Sequence, residues 1–242
     1  MSKRTDRVAA RDRLVLTCEH GGNRIPREYA RLFRGAKRLL DSHRGWDPGA
    51  LGVARFLARR FRLPLRSVTW SRLLVESNRA PTNRRIWSRF TAGLPTEDRT
   101  HILESYWWPH RLEVQKALRT VLAGQRRAVH IAVHSFTPVY DGELRNADIG
   151  LLYDSRRSRE KGFCTRWEEI LEQLDPEIRV RRNYPYRGAA DGLTTWLRRR
   201  LPERDYVGVE LELNQALLAS RRRDHLKRLI AQSLRILQAE IR

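Results

Sequence analysis

The sequence predicts an α/β fold with a largely parallel sheet, and three observations carry that prediction. Short runs of β-formers alternate with longer segments whose apolar residues recur at helical spacing. Two apolar runs far apart in the chain, Leu14–Cys18 and Val129–Val133, end abruptly in Glu19-His20-Gly21-Gly22 and in His134-Ser135. In open α/β sheets the carboxyl ends of strands are where chemistry is placed. No repeat, linker or change of composition divides residues 1–242, so one domain large enough to bury a substantial core is expected.

Taken in order, Leu14–Cys18 reads as the first strand, and Arg27–Leu40 as a helix carrying Tyr29, Ala30, Leu32 and Phe33. Asp47-Pro48-Gly49 has the chemistry of a helix start, with Asp47 as N-cap, before the apolar series Leu51, Val53, Ala54, Phe56, Leu57 and Phe61. Leu65–Trp70 and Arg72–Glu76 are two short strands, and the basic stretch 82–97 is a loop over the site. Asp98–Gly124 is a long helix, kinked at Pro109, with Tyr106, Trp107 and Trp108 as a packing patch. The strands Ala128–His134, Ala147–Asp154, Ile178–Arg181 and Tyr206–Gln215 follow, interleaved with helices over Arg159–Leu174 and Asp191–Arg200. An amphipathic helix over Arg221–Ile241 closes the chain.

Composition narrows the function classes. Hydrophobic content of 40% with seven Trp and seven Tyr indicates a globular chain, and no apolar run is long enough to span a bilayer. The N-terminal Met1–Arg7 is basic and leads into further charge, not into a signal-peptide core. Cys18 and Cys164 provide neither a disulfide framework nor a Cys-x-x-Cys pair, so a cytoplasmic location is expected. The net charge of +21 attracts polyanions. Of the 49 basic residues, however, only five are lysine, and the arginines are spread along the whole chain. That dispersion favours a compositional habit over a dedicated nucleic-acid surface, which usually clusters its charge.

Four groups near predicted strand ends can converge: Glu19 with His20, Asp47, His134, and Glu210 with Glu212. Imidazole and carboxylate together make the usual donor set of a catalytic zinc, which keeps a position open for water. Glu210 and Glu212 lie two apart on a strand and share one face, while Val207, Val209, Leu211 and Leu213 make the other. Asn78-Arg79 follows a predicted strand, and a guanidinium suits bidentate recognition of a carboxylate. His43 reads as a loop hydrogen-bonder, and His101, His110, His130 and His225 as structural residues without partners.

Six blocks of the sequence then resemble one family. They are Glu19-His20-Gly21-Gly22-Asn23-x-Ile25-Pro26, His43-x-x-Trp46-Asp47-x-Gly49-Ala50, Ser71-Arg72-Leu73-x-Val75-Glu76-x-Asn78-Arg79, His134-Ser135-Phe136-x-Pro138, Asp148-Ile149-Gly150-Leu151-Leu152-Tyr153 and Asn183-x-Pro185-Tyr186. In this order, from about Leu14 to Leu218, they resemble the N-formylglutamate amidohydrolases, a family similar to the zinc carboxypeptidases and aspartoacylases. The resemblance implies a three-layer sandwich around a mixed, mostly parallel sheet, of zinc-exopeptidase and phosphorylase/hydrolase type. It implies one zinc ion and hydrolysis of the amide of an N-formyl-type acidic amino acid or similar small anion.

Carried over residue by residue, His20 and His134 match the two metal-binding histidines. A carboxypeptidase-like His-x-x-Glu would place its acid at Asn23, so Asp47 is the preferred third ligand, with Glu19 beside the site. Glu212 matches the late glutamate as catalytic base, ahead of Glu210. Asn78 and Arg79, with Ser135, match substrate-binding positions, and Arg72 would stabilise the oxyanion. Glu19 stands where many members have Asp, and Asn214 where Arg is frequent. The alternative reading is a diverged, inactive member that binds nucleic acid or another polyanion through its basic surface. Oligomeric state is left open by the sequence.

Overall fold

The computed structural model describes residues 12–240 of the chain. Its strands are β1 (Arg13–Cys18), β2 (Leu65–Ser67), β3 (Ala128–Phe136), β4 (Val139–Tyr140), β5 (Glu143–Leu144), β6 (Ile149–Leu152), β7 (Val180–Arg182) and β8 (Tyr206–Asn214). Its α-helices are α1 (Lys37–Leu40), α2 (Ala50–Phe61), α3 (Thr96–Ile102), α4 (Trp108–Ala123), α5 (Ser158–Leu174), α6 (Leu193–Arg198), α7 (Gln215–Ala219) and α8 (Arg223–Glu240). The basic segment Met1–Arg7 and the last predicted helical residue, Ile241, lie outside the described residues.

Six strands form one sheet in the order β2-β1-β3-β8-β6-β7. β2, β1, β3 and β8 are mutually parallel, while β6 and β7 run the other way and meet β8 antiparallel. The sheet is therefore mixed and mostly parallel. Helices cover both faces, as parallel strands require when neither face meets water. Leu14, Leu16, Val129, Ile131, Val133, Val207, Val209, Leu211 and Leu213 pack under α2, α5 and α8. The alternate residues face α4 and α6, with Val15, Ala128 and Tyr206 in a smaller apolar cluster. The period of two puts Thr17, His130, His134, Glu210 and Glu212 on that second face. A third cluster, including Tyr29, Phe33, Leu74, Val75, Ile86, Ile102 and Trp107, supports the loops beyond the strand ends. No helix among the described residues is long and apolar enough to cross a membrane.

Several predicted elements take a different form. Arg27–Leu40 divides into a 3₁₀ segment, Arg27–Phe33, and the one-turn α1, because Gly35 between them adopts φ +74°, a left-handed conformation. The strand expected over Leu65–Trp70 stops at Ser67, and Arg72–Glu76 is not a strand but a succession of turns. Asp47 does not cap α2: Gly49 occupies that position, and the Asp47 carboxylate turns into the molecule instead. The predicted kink at Pro109 is a π-helical turn over Leu103–Trp107 joining α3 to α4. Residues 82–97 do not cover the site. They make a 3₁₀ turn at Arg84–Ile86 and bury Ile86, with Trp87, Phe90 and Leu94 packed on the third cluster.

Candidate active site

The site forms where β1, β3 and β8 end. The loop after β1 is stitched to two neighbours: Gly21 N–H donates to Val68 O at 2.9 Å, and Asp47 N–H donates to His20 O at 2.9 Å. Gly21 and Gly22 serve this stitching. A Cβ on Gly22 would lie 2.6 Å from Thr69 O, and one on Gly21 would lie 3.0 Å from Val68 O. The close approach that demands glycine is therefore backbone on backbone. On β3, His134 pairs in register with Glu212 on β8, so the parallel ladder itself sets imidazole beside carboxylate.

Asp47 is the hub of the cluster. Its Oδ2 lies 3.2 Å from His20 Nδ1 and 2.9 Å from His134 Nδ1, and it accepts from Ser135 N–H at 3.3 Å. The outer ring nitrogens also face acids. His20 Nε2 meets Glu76 Oε1, and His134 Nε2 lies 3.1 Å from Glu19 Oε2. Glu19 Oε1 in turn lies 3.0 Å from His110 Nε2. All of these side chains are buried. Burial alone would lower the pKa of both His20 and His134. The acids on either side outweigh it, raising His20 and holding His134 well above its usual value. Burial likewise favours neutral carboxyl groups, yet the facing histidines hold Asp47 and Glu19 ionised, and Arg72 does so for Glu76.

Arg72 spans two of these acids, with Nε 2.7 Å from Glu76 Oε2 and Nη1 3.3 Å from Asp47 Oδ1. Glu212 makes no ion pair among the described residues, unlike Glu19, Asp47 and Glu76. It is buried, its Oε2 has no hydrogen-bond partner, and burial reinforced by Asp47 and Glu210 pushes its pKa up to about 7. Glu210, on the same face, accepts a hydrogen bond from Thr194 Oγ1 at 2.8 Å.

A cavity of about 400 Å³ opens above this cluster, walled by His20, Asp47, His134, Ser135, Glu210 and Glu212 below. Arg72, Asn78, Arg79, Tyr186, Arg187 and Asp191 also line it. Asn78 Oδ1 accepts from Leu193 N–H at the start of α6 at 2.7 Å. Arg79 donates to Asp191 O at 3.4 Å and makes no ion pair with Glu76. Ser135 Oγ is engaged by Pro48 O and Gln215 Nε2, at 2.9 and 3.1 Å. His20, Asp47 and His134 each offer one donor atom within 4.8 Å of the others, a set able to hold a metal ion.

His20, Asp47, Arg72, Asn78, Arg79, His134, Ser135, Glu210 and Glu212, assigned roles from the sequence, all line this one cavity, and Glu19 does not. Asn23 is turned away onto Leu40 O and Asp41. The sequence reading missed Glu76, Arg187, Asp191 and His110 as residues on or behind the site. Tyr186 and Glu76 sat within the recurring blocks, where an acid four residues after Arg72 was the available signal; for Arg187 and Asp191 there was none. The four histidines thought to lack partners all have them. His110 meets Glu19, His225 meets Asp175 at 2.9 Å, His101 lies 3.5 Å from Ser105 Oγ, and His130 lies 2.8 Å from both Thr17 Oγ1 and Tyr206 Oη. His43 makes no side-chain hydrogen bond among the described residues, so it is not the loop hydrogen-bonder expected.

No curated protein matches the chain in sequence. A crystal structure of a gene product from Agrobacterium tumefaciens is 30% identical, with a TM-score of 0.78 over 95% of this chain and 93% of that one. The crystal structure of N-formylglutamate amidohydrolase from Ralstonia eutropha shares the fold at 18% identity, with a TM-score of 0.70 over 96% of this chain and 94% of that one. The family model for N-formylglutamate amidohydrolase matches residues 12–219, a span that holds every side chain of the cavity, and the chain belongs to that family of hydrolases.

Proposed function

We propose that this amidohydrolase cleaves the amide of an N-acylated acidic amino acid, with N-formyl-L-glutamate as the reference substrate, using one zinc ion held by His20, Asp47 and His134. The observation that supports it most is the setting of the two rings. Each turns Nδ1 to Asp47 and Nε2 to a second carboxylate, Glu76 or Glu19. Metal-binding histidines characteristically donate their outer N–H to such an acid, which sets the tautomer and raises basicity. A divalent cation in place of the two inner protons leaves the net charge of the cluster unchanged. Two imidazoles and one carboxylate suit zinc, whereas magnesium and calcium prefer oxygen alone. When bound there, zinc supplies Lewis acidity to the amide carbonyl and lowers the pKa of water to about 7.

The remaining roles belong to side chains. Glu212, unpartnered and raised to about 7, takes the proton of the attacking water and returns it to the departing amine. Glu210 is committed to Thr194 and is the weaker candidate. Asn78 and Arg79 hold the substrate carboxylate, the guanidinium offering two parallel donors. Ser135 closes the cavity floor beside them. Arg72 holds Asp47 and Glu76 in place and steadies the developing oxyanion.

The test is metal analysis coupled to a screen of N-formyl and N-acetyl glutamates and aspartates. We expect about one zinc per chain, release of glutamate from N-formyl-L-glutamate, and loss of both on chelation with recovery on adding zinc. Hydrolysis indifferent to a chelator, in protein without metal, overturns the zinc assignment. No hydrolysis of any member by zinc-loaded protein overturns the substrate assignment.

A further inference from the structure

Arg111, on α4, is fully buried, and no carboxylate among the described residues lies within 4.0 Å of its guanidinium. An unpaired buried cation is costly, and an apolar chain of similar volume would fill the space more cheaply. What stands around it is aromatic: the guanidinium carbon lies 4.1 Å from the ring centre of Trp107 and 5.1 Å from that of Trp196. Cation–π attraction in a desolvated setting offsets part of the cost. Burial lowers the guanidinium pKa to about 10, so it is still charged at neutral pH.

The guanidinium does one thing that no apolar side chain could do. Its Nη2 donates to Arg79 O at 2.9 Å and Ser77 O at 3.3 Å, the two carbonyls that bracket Asn78. Trp107 Nε1 donates to the same Arg79 O at 3.1 Å. From the opposite side, Asp191 accepts from Ala80 N–H at 3.1 Å, and Leu193 N–H holds the Asn78 side chain. Glu76 Oε1 accepts from Asn78 N–H at 3.0 Å. The turn that presents Asn78 and Arg79 to the cavity is thus gripped at consecutive backbone groups, and among the described residues only the Arg111 side chain reaches two of its carbonyls. Arg111 Nε and Nη1 remain buried without partners, as expected of a group retained for one contact rather than for packing.

We propose that Arg111 is a positioning residue for substrate binding. It locks the Ser77–Arg79 carbonyls from beneath, so that the Arg79 guanidinium and the Asn78 amide are aimed at the substrate carboxylate before the substrate arrives. This rests on the reading that Asn78 and Arg79 bind that carboxylate. Arg111 has no contact with His20, Asp47, His134 or Glu212 among its hydrogen bonds, so its loss should act on binding and not on the proton-transfer step.

The experiment is a double-mutant cycle in the zinc-loaded enzyme between Arg111→Met and Arg79→Ala, with kcat and KM for N-formyl-L-glutamate, zinc content and thermal midpoint read for each. Small misplacements of a binding group can cost as much as about 10²-fold. We expect Arg111→Met to raise KM by about tenfold or more with kcat within about threefold. Zinc content should stay unchanged, and Arg111→Lys should recover part of the loss. In the Arg79→Ala background, Arg111→Met should cost clearly less than it does alone, since one of the two groups it positions is gone and only Asn78 remains to be misplaced. If Arg79→Ala raises KM and Arg111→Met does not, or if the two effects simply multiply, the positioning role is overturned. If Arg79→Ala itself leaves KM unchanged, the failure lies with the carboxylate-binding reading. Should Arg111→Met fail to fold, Trp107→Phe removes one donor to Arg79 O while keeping an aromatic ring, and it should shift KM in the same direction.

Discussion

Replacing Glu212 with glutamine keeps the side chain's shape and removes its basicity. The expected result is a kcat lower by about 10²–10⁴-fold with zinc content unchanged. Glu210→Gln should leave kcat within a few-fold, because its carboxylate is committed to Thr194; the reverse pattern would move the base to Glu210. His134→Ala removes one of the proposed ligands and should abolish zinc retention, read by elemental analysis, in a protein that still folds. A different residue governs acid stability. His130 is buried between Thr17 and Tyr206, and burial lowers its pKa from 6.5 to about 4. The folded protein resists protonating it while the unfolded chain does not, so stability is full above pH 6.5 and lost as pH falls toward 4. That one ring accounts for about 3 kcal/mol. Urea unfolding across this range should show the decline, and His130→Gln should flatten it. Of these residues, His20, His134 and Glu212 were legible as polar groups ending apolar runs. Glu19's contacts to His134 and His110 were not, because the residues involved come from three separate elements.

At the scale of elements, the loop after β1 depends on backbone approach. Gly22→Ala would force a Cβ to within 2.6 Å of Thr69 O, so the strand-end loop must shift. A stability loss of about 1–3 kcal/mol is expected by thermal or urea unfolding, together with weakened zinc retention, since His20 moves with the loop. The longer elements were readable because their apolar spacing serves burial directly: α5, α8, β3 and β8 lie within a few residues of their expected limits. The errors fall on short segments. Arg72–Glu76 carries a short apolar run, Leu73–Val75, but its Glu76 and Arg72 are held by His20 and Asp47, and tertiary ion pairing outweighs local strand preference. Asp47-Pro48-Gly49 carries an N-cap signature, yet the carboxylate does more as the shared acceptor of two buried histidines than as a cap.

For the whole molecule, the net charge of +21 surrounds a cavity whose lining includes Arg79 and Arg187. A field of that sign raises the local concentration of a small anion, and salt screens it over a Debye length of about 8–10 Å. Raising ionic strength from about 0.02 to 0.5 M should therefore lower kcat/KM for N-formyl-L-glutamate while leaving kcat nearly constant. An unchanged kcat/KM would return the charge to the status of a compositional habit.

The sequence by itself determined the α/β class, the strands β1, β3 and β8, the family, and the two histidines with their neighbouring acids. Each is written locally, in periodicity or in a short block of residues. The tertiary structure decided that Asp47 is the hub, that Glu76 and Glu19 back the histidines, that Glu212 is left unpartnered while Glu210 is not, and that Arg111 grips the Ser77–Arg79 turn. These depend on which side chains meet across segments separated by tens of residues. Burial then decides their protonation, and neither effect has a local signature along the chain.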